Sequence, residues 1–305
     1  MLRSRFLYPL FYTLCLFLGC VACQSDQVQN NAHLHTTKDD LHRTMQLPVR
    51  IERVMSLTPS ITEILFKVVD SKKIVGRTSH CNFPVEAFKK PIVKSYPLDL
   101  EQLIRLKPQV IFVKDDMLAT EDAQKIENTG IKVFFLKYTT CQDIVNSIVK
   151  VGKLMDEDYK SSLIADSMTV HLHQLKKQAA LFAHKPKVLI LIDADPIFVF
   201  GVNNFASDML AYAGAINAVN DDIKHPYPQI TREYLLQINP DIIIELGDNN
   251  NKSSNLLRLY PELNTVNAFK NNKLYSVEED LVSRPGPRVI SGILALKKMI
   301  HPDEK

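Results

Sequence analysis

The stretch LEQLIRLKPQVIFV (100–113) changes from apolar side chains at helical spacing to an unbroken apolar run. This pattern predicts a short amphipathic helix, a proline that ends it and a buried strand. The stretch REYLLQINPDIIIE (232–245) has the same pattern. Aligned without a gap, the two stretches share Glu101/Glu233, Leu103/Leu235, Pro108/Pro240 and Ile111/Ile243. The alternative is a chance likeness between two generic helix–strand units, but the length of the match favours an internal repeat.

Each half of the chain continues the pattern on both sides of this unit. A further strand is predicted after each unit, and a strand–turn–helix unit before it. These segments are 132–136 and 273–277 downstream, and 53–69 and 197–214 upstream. Strands that alternate with helices are typical of α/β folds with parallel sheets and right-handed crossovers. We therefore predict two α/β lobes, an N-terminal lobe (49–155) and a C-terminal lobe (185–305).

The segment between the lobes, 156–184, contains neither glycine nor proline. Its apolar side chains recur every three or four residues, at Ile164, Met168, Leu172, Leu175, Ala179 and Phe182. This spacing predicts one amphipathic connecting helix, about 40 Å long at about 1.5 Å per residue. A stiff helix that joins two α/β lobes leaves a groove between them, which is the expected ligand site.

The N-terminus has the features of an export signal. Arg3 and Arg5 precede an uncharged apolar run, 6–18, that is shorter than the roughly 20 residues a membrane-spanning helix needs. The run ends in LFLGC, which resembles a bacterial lipobox, so we predict a lipoprotein signal peptide (1–19) and lipidation of Cys20. Cys23 is a weaker candidate, and an ordinary signal with incidental cysteines is the alternative. One lipid tethers a protein to a membrane surface without making it integral.

Within the segment 20–48, residues 24–48 are polar and show no helical or strand period. The simplest interpretation is a flexible stalk between the lipid anchor and the folded lobes.

Charge and cysteine content exclude some classes of protein. The formal charge of +3 becomes +1 when Arg3 and Arg5 are removed with the signal, and no basic run remains, which argues against a nucleic-acid partner. With Cys20 lipidated, Cys23, Cys81 and Cys141 are left. This odd number of thiols does not indicate a disulfide framework and leaves any single pairing open.

Motifs for catalysis are absent from the sequence. Ser60, His80 and Asp195 are the residue types of a hydrolytic triad, but no G-x-S-x-G motif presents a nucleophile. The chain also lacks a G-x-x-x-x-G-K phosphate loop and a G-x-G-x-x-G motif. A hydrolytic enzyme is therefore the least favoured class, and no cofactor is expected.

Six motifs together resemble one family, the helical-backbone solute-binding proteins of ABC importers, which are receptors for cobalamin, ferric siderophores and haem. The resemblance runs from about Arg50 to the C-terminus. The motifs are RVMSLTPSITEILF (53–66), IVGRTSHCNFPVEA (74–87), LEQLIRLKP (100–108), GVNNFASDMLAYAGAIN (201–217), HPYPQITREYLLQINPD (225–241) and SRPGPRVISGILAL (283–296). Each motif is weak alone, and their order and spacing make the resemblance specific.

The resemblance implies roles for individual residues. In the cobalamin-binding branch, one glutamate per lobe pairs with arginines of the permease, and the matching positions are Glu101 and Glu233. Positions that match ligand contacts are the loop residue His80, the aromatic residues Tyr96, Phe198 and Tyr227, and the polar residues Asp280 and Arg284. His80 is expected to pack against the edge of the ligand or to reach the axial position of a chelated metal. Cys81 is expected to be a small, partly buried residue.

The identity of the chelate stays open among three classes. An aromatic-lined groove suits a large flat chelate, whereas a bare metal ion needs three or four convergent ligands that the sequence does not supply. Cobalamin-type corrinoids are favoured, but the chain has no tryptophan, which leaves ferric siderophores and haem open. The expected protein is a monomer, exported to the cell envelope, lipid-anchored, and bound to an ABC permease and ATPase. The alternative is a stand-alone surface lipoprotein that scavenges haem or another chelate.

Overall fold

Two β-sheets flanked by helices form the architecture of the protein in a computed structural model, which describes residues 34–220, 222–247 and 251–303. The sheet of the N-terminal lobe has the strand order β4-β3-β5-β6, and all its neighbouring strands are parallel. Its two inner strands, β3 and β5, are buried at every residue, as expected when helices cover both faces of a parallel sheet. The strands are β3 (Val54–Ser56), β4 (Ile74–Gly76), β5 (Val110–Lys114) and β6 (Lys132–Leu136).

Two helices of this lobe begin at residues whose side chains cap the first turn. Asp99 and Thr140 act as side-chain caps for the second and fourth helices, since each accepts a hydrogen bond from a backbone N–H of the first turn. The helices are α1 (Pro59–Val68), α2 (Leu100–Leu106), α3 (Thr120–Glu127) and α4 (Cys141–Leu154).

One long helix, α5 (Asp158–Leu181), follows the N-terminal lobe. It lies within the predicted connecting segment, 156–184, and its 24 residues span about 36 Å at about 1.5 Å per residue. Its buried side chains recur at helical spacing, at Ser161, Ala165, Met168, Leu172, Leu175 and Ala179. They pack on α4 and on helices of the C-terminal lobe. The prediction of two α/β lobes joined by a long helix is confirmed.

The C-terminal sheet follows the same plan with one addition. Its strands are β7 (Lys187–Ala194), β8 (Ile197–Val199), β9 (Ile216–Asn217), β10 (Ile242–Leu246) and β11 (Leu274–Val277). The parallel strands β9, β7, β10 and β11 repeat the order β4, β3, β5 and β6. Strand β8 is antiparallel to β7, because a two-residue turn is too short for a parallel crossover. The counterpart of β3 is therefore β7, not the segment that begins at Ile197.

The helices of the C-terminal lobe include counterparts of those in the first lobe. In the repeated topology α6 and α7 occupy the places of α1 and α2, and α11 occupies the place of α4. The helices are α6 (Phe205–Tyr212), α7 (Arg232–Ile238), α8 (Asn251–Leu259), α9 (Asn267–Lys270), α10 (Glu279–Ser283) and α11 (Val289–Ile300).

Part of the predicted flexible stalk is an ordered hairpin. Strands β1 (Leu34–Lys38) and β2 (Thr44–Pro48) pair antiparallel. Leu47 is fully buried, the Asp40 N–H donates to the Phe135 carbonyl (3.0 Å), and the Arg43 guanidinium donates to the Val133 carbonyl (2.5 Å). The stalk prediction is therefore wrong for residues 34–48, because these contacts hold the hairpin on β6. The rest of the predicted stalk, Cys20 and the predicted signal peptide lie outside the described residues.

One of the hydrophobic core clusters extends across both lobes. One cluster of buried side chains includes Ile64 and Phe112 of the N-terminal lobe, Leu172 of the connecting helix, and Met209 and Leu296 of the C-terminal lobe. Burial of apolar surface across this boundary stabilises the lobes as one body.

Two carboxylates, one on each of the corresponding helices α1 and α6, form hydrogen bonds between the lobes. Glu63 of α1 accepts two hydrogen bonds from Arg288, the residue that precedes α11 (2.8 and 2.7 Å). Asp208 of α6 accepts the backbone N–H of Cys141, the first residue of α4 (2.8 Å). Burial, and secondarily the Asp208 charge, raises the pKa of the Cys141 thiol. Each lobe thus extends a carboxylate to the start of a helix in the other lobe, where negative charge is favoured.

We expect the Glu63→Leu substitution to lower the free energy of unfolding by about 3–5 kcal/mol, because it leaves the Arg288 guanidinium poorly compensated in a mostly buried place. Urea unfolding followed by circular dichroism measures this loss. The control is Glu278→Gln, which removes a carboxylate that is 3.7 Å from Arg288 but largely exposed to water. Its loss should be under about 1 kcal/mol. Equal losses in the two variants would contradict an essential role for the buried pair.

Candidate ligand-binding cleft

A cleft of about 750 Å³ is lined by residues of both lobes. Its size is within the range of about 300–1,000 Å³ that is common for small-molecule sites. The N-terminal lobe contributes Leu57, Thr58, Pro59, Ser60, His80, Ser95, Lys114, Asp116 and Met117, and the C-terminal lobe contributes His225, Pro226, Tyr227, Glu279, Asp280, Ser283, Arg284 and Pro285.

The topology of the sheets explains where the cleft lies. Residues 57–60 follow the carboxyl end of β3, and Lys114 is the last residue of β5. On the other side, α10 follows β11 after one residue. Sheets of this kind bind ligands beyond the carboxyl ends of their strands, so the fold itself predicts this location.

The buried Cys81 side chain anchors the loop that carries His80. The Cys81 side chain is fully buried, and its sulfur lies 3.1 Å from the hydroxyl oxygens of both Thr62 and Thr78. His80, the neighbouring residue, is exposed on the cleft side. Cys81 therefore fixes the loop as a buried free thiol, and His80 is the residue available to a ligand.

An aromatic residue, Tyr227, and a histidine, His225, lie in the opposite wall. The Tyr227 ring packs edge-on against Phe200, with 5.6 Å between centroids. The Tyr227 backbone N–H donates to Nδ1 of His225 (3.1 Å). Since Nδ1 of His225 is the acceptor, the neutral ring carries its proton on Nε2 and offers a hydrogen-bond donor rather than a metal ligand.

His80 differs from His225 in this respect. Its Nδ1 lies 3.4 Å from the Ser79 hydroxyl, a group that serves as either donor or acceptor. When Nδ1 carries the proton, Nε2 of His80 has a free lone pair for a metal. Of the two cleft histidines, only His80 thus has a hydrogen-bond pattern compatible with metal ligation through Nε2.

The two cations of the cleft wall are paired within the protein. Lys114 forms an ion pair with Asp116 and lies 4.0 Å from Asp115. Burial raises the pKa of Asp115, and the Lys114 charge opposes this shift. Arg284 pairs with Asp280 (2.8 Å) and lies 3.6 Å from Glu63.

Arg284 also bridges the lobes at the cleft. Its guanidinium donates to the Asn82 side-chain oxygen (2.7 Å) and to the His80 carbonyl (3.3 Å). The loop that contains Arg284 lies close to α1, since a Cβ on Gly286 would be 3.3 Å from the Ser60 carbonyl oxygen. Arg284 is therefore fixed by carboxylates of both lobes and holds the His80 loop.

The structure brings together four of the six residues predicted to contact ligand: His80, Tyr227, Asp280 and Arg284. Tyr96 does not belong with them. Its side chain is 93% exposed, whereas its neighbour Ser95 lines the cleft, because Tyr96 lies in the turn that connects Ser95 to Leu98. Phe198 lies half-buried on β8 and outside the cleft lining. The prediction that Tyr96 and Phe198 line the same groove is wrong.

Sequence reasoning missed several lining residues, among them Ser60, Lys114, Asp116 and His225. The position of Lys114 and Asp116 after a continuous apolar strand was the available signal, because the ends of parallel strands border such sites. No comparable local signal marks Glu63 or Arg288, which meet only in the folded chain.

Glu101 and Glu233 lie on the surface in equivalent places. Both are exposed in the first turns of seven-residue helices, α2 and α7. Each helix ends in a left-handed residue, Lys107 (φ 47°) or Asn239 (φ 43°), followed by a proline. A side-chain hydrogen bond from Arg232 (2.8 Å) lowers the pKa of Glu233.

None of the described helices combines the length and apolar character needed to cross a bilayer. In the same part of the chain, no group of three or more His, Cys, Asp or Glu side chains has an arrangement that would hold a metal ion.

Comparison with known proteins gives consistent matches. Residues 54–281 match the model of a family described as periplasmic binding protein. An uncharacterized ABC transporter substrate-binding lipoprotein of Bacillus subtilis, YvrC, is 28% identical over 88% of this chain and 86% of its own length. A vitamin B12-binding protein of Vibrio parahaemolyticus is 24% identical over 80% of this chain and 87% of its own. The crystal structure of a possible iron-binding periplasmic protein from Staphylococcus epidermidis has a TM-score of 0.73 and 26% identity, covering 83% of this chain and 99% of that one.

Proposed function

The chain belongs to the periplasmic binding protein family, and from this premise we propose that it is the substrate-binding lipoprotein of an ABC importer. It captures a metal chelate in the cleft and delivers the chelate to the permease. Both lobes contribute to the cleft wall, which is the arrangement such a receptor requires. The first relatives compared include proteins named for ABC transport and for vitamin B12 binding, which supports this class.

The charges of the cleft favour a corrinoid of the cobalamin type over haem. Two cations, Lys114 and Arg284, face three carboxylates of the lining, Asp116, Glu279 and Asp280, and both cations have protein partners. Haem carries two carboxylates, which would have to displace these partners or remain near like charges. The ring of a cobalamin carries neutral carboxamides, which meet hydrogen-bonding groups at a lower cost. The internal pairing of Lys114 and Arg284 is the observation on which the choice of ligand rests. Ferric siderophores and haem are the less favoured ligands.

The remaining lining has the chemistry to hold a flat chelate. Tyr227 offers an aromatic surface to the macrocycle, and Met117 and Pro226 add apolar contacts. His80 reaches the metal or the ring edge from the N-terminal lobe, while Nε2–H of His225 donates to an acceptor from the other side.

Cyanocobalamin should bind the purified protein more tightly than haemin does, as measured by calorimetry and absorbance titration. Tyr227→Ala should weaken cyanocobalamin binding by about 1–3 kcal/mol, because it removes aromatic contact area. Tyr96→Ala is the matched control, since Tyr96 is outside the cleft, and should bind as wild type. Tighter binding of haemin would contradict the corrinoid assignment, and equal affinities of both variants and wild type would contradict the site.

Glu101 and Glu233 are proposed to dock the permease. They are exposed, one per lobe, at equivalent helix starts, and neither lines the cleft. Two carboxylates that are related by the internal repeat suit a transporter with two similar subunits, whose basic side chains would pair with them.

Charge reversal at both positions, Glu101→Lys with Glu233→Lys, should leave ligand affinity and melting temperature near wild type, because exposed charges contribute little to folding. Uptake of labelled cyanocobalamin through the cognate permease should be abolished. The control carries Glu121→Lys and Asp166→Lys, an equal charge change at exposed positions of α3 and α5. Normal uptake by the first variant would refute docking, and loss of its ligand affinity would place the glutamates in the site.

Cys20 is proposed to carry the lipid that holds the protein on the cell envelope. Metabolic labelling with a fatty-acid probe should be lost in Cys20→Ala and retained in Cys23→Ala. The reason is that a large apolar residue, Phe17, stands three positions before Cys20, whereas a cysteine stands three positions before Cys23. The reverse pattern would assign the anchor to Cys23.

A further inference from the structure

The N-terminal end of helix α1 opens on the floor of the cleft. Residues 57–60, which lead into its first turn, are all cleft-lining. The helix has ten residues, and the backbone N–H groups of its first turn point toward its start. This end of a helix attracts acceptor groups.

The donors of this first turn are only partly used. The Thr58 N–H donates to the Ser56 hydroxyl (2.9 Å), and Pro59 has no N–H. The Thr58 side chain makes no cap, and its oxygen accepts the N–H of Lys114 instead (3.0 Å). Among the described residues, no acceptor is bonded to the N–H of Ser60 or of Ile61.

The Ser60 side chain adds an independent observation. Ser60 is only 2% exposed and lines the cleft, yet its hydroxyl has no hydrogen-bond partner among the described residues. A buried hydroxyl without a partner lowers the stability of the folded protein, so its presence calls for a reason other than folding.

The equivalent helix of the other lobe shows that this hydroxyl is not needed to start the helix. In α6 the Asn204 side chain caps the first turn by accepting the Ala206 N–H (2.9 Å). Ala206 holds the second helical position, as Ser60 does in α1. Alanine is therefore acceptable at this position where the turn is capped internally.

We propose that the Ser60 hydroxyl and the free N–H groups of the α1 start form a hydrogen-bond-donating subsite for one oxygen atom of the ligand. The subsite fits an uncharged carboxamide oxygen rather than a carboxylate or phosphate. Glu63 is one turn along α1, and Asp116 and Asp280 line the same cleft, so a further negative charge would be repelled. The inference rests on the proposed function and specifies which part of the chelate the N-terminal lobe recognises.

The test uses the full mature protein with Ser60→Ala and measures two properties. We expect the stability of the folded protein to increase and its affinity for the ligand to decrease. Without ligand, the melting temperature should rise, since the unpaired hydroxyl is removed. The dissociation constant for cyanocobalamin should increase roughly three- to tenfold, the range for loss of one hydrogen bond. Ser60→Cys, which retains a weak donor, should bind with intermediate affinity.

Ser161→Ala is the matched control. Ser161 is also buried near the start of a helix, but its hydroxyl donates to the Asp158 carbonyl (3.0 Å) and lies outside the cleft. This variant should melt at a lower temperature and bind cyanocobalamin as wild type does. A cobalamin derivative with one ring carboxamide hydrolysed to a carboxylate should bind wild type more weakly than cyanocobalamin.

The outcomes separate the inference from the proposed function. If wild type binds cyanocobalamin, but Ser60→Ala binds equally well and melts at a lower temperature, the hydroxyl is structural and the subsite is refuted. If the carboxylate derivative binds wild type more tightly than cyanocobalamin, the preference for an uncharged oxygen is refuted. If wild type binds no corrinoid at all, the proposed ligand and the subsite are both refuted.

Discussion

The buried ion pair between Glu63 and Arg288 is the contact on which the arrangement of the two lobes depends. The Glu63 side chain is 2% exposed, so any movement that separates it from Arg288 leaves a charge in an apolar place. The continuous core around the pair adds the cost of exposing apolar surface. The hydrogen bond from the Cys141 N–H, at the start of α4, to Asp208 of α6 is a second contact of a carboxylate between the lobes. These contacts make the floor of the cleft a fixed surface.

This fixed floor determines what the cleft offers to a ligand. Arg284 lies beside Glu63 and donates a hydrogen bond to Asn82 of the His80 loop. The buried Cys81 side chain anchors the same loop. The charges needed for this framework neutralise one another, so little positive charge is left for an anionic ligand. What remains is one aromatic face, a few directional donors and a modest excess of carboxylates. The same contacts that hold the lobes together are therefore the basis for proposing a large, mostly neutral chelate as the ligand.

The sequence predicted the elements well where periodicity is local and strong. The proline-ended helices before β5 and β10, and the long connecting helix, follow from apolar spacing and from the residues that end a helix. The residues at 34–48 were missed because a hairpin held by hydrogen bonds to β6 has no clear period of its own. Tyr96 was misplaced because it lies in a tight turn, which the apolar pattern does not mark. Phe198 was misplaced because alternation along β8 decides which face a side chain occupies. A single residue of register reverses that choice.

By itself, the sequence determined the repeated α/β architecture, the surface positions of Glu101 and Glu233, and the general region of the candidate cleft. Each of these depends on residues near one another in the chain. Only the tertiary structure decided that Glu63 meets Arg288, 225 residues away, that Arg284 is already paired, and that Ser60 lies unpaired on the cleft floor. The physical reason is that the strength of a charge or a hydrogen bond depends on burial and partners. Those are supplied by packing between lobes, which no local pattern encodes.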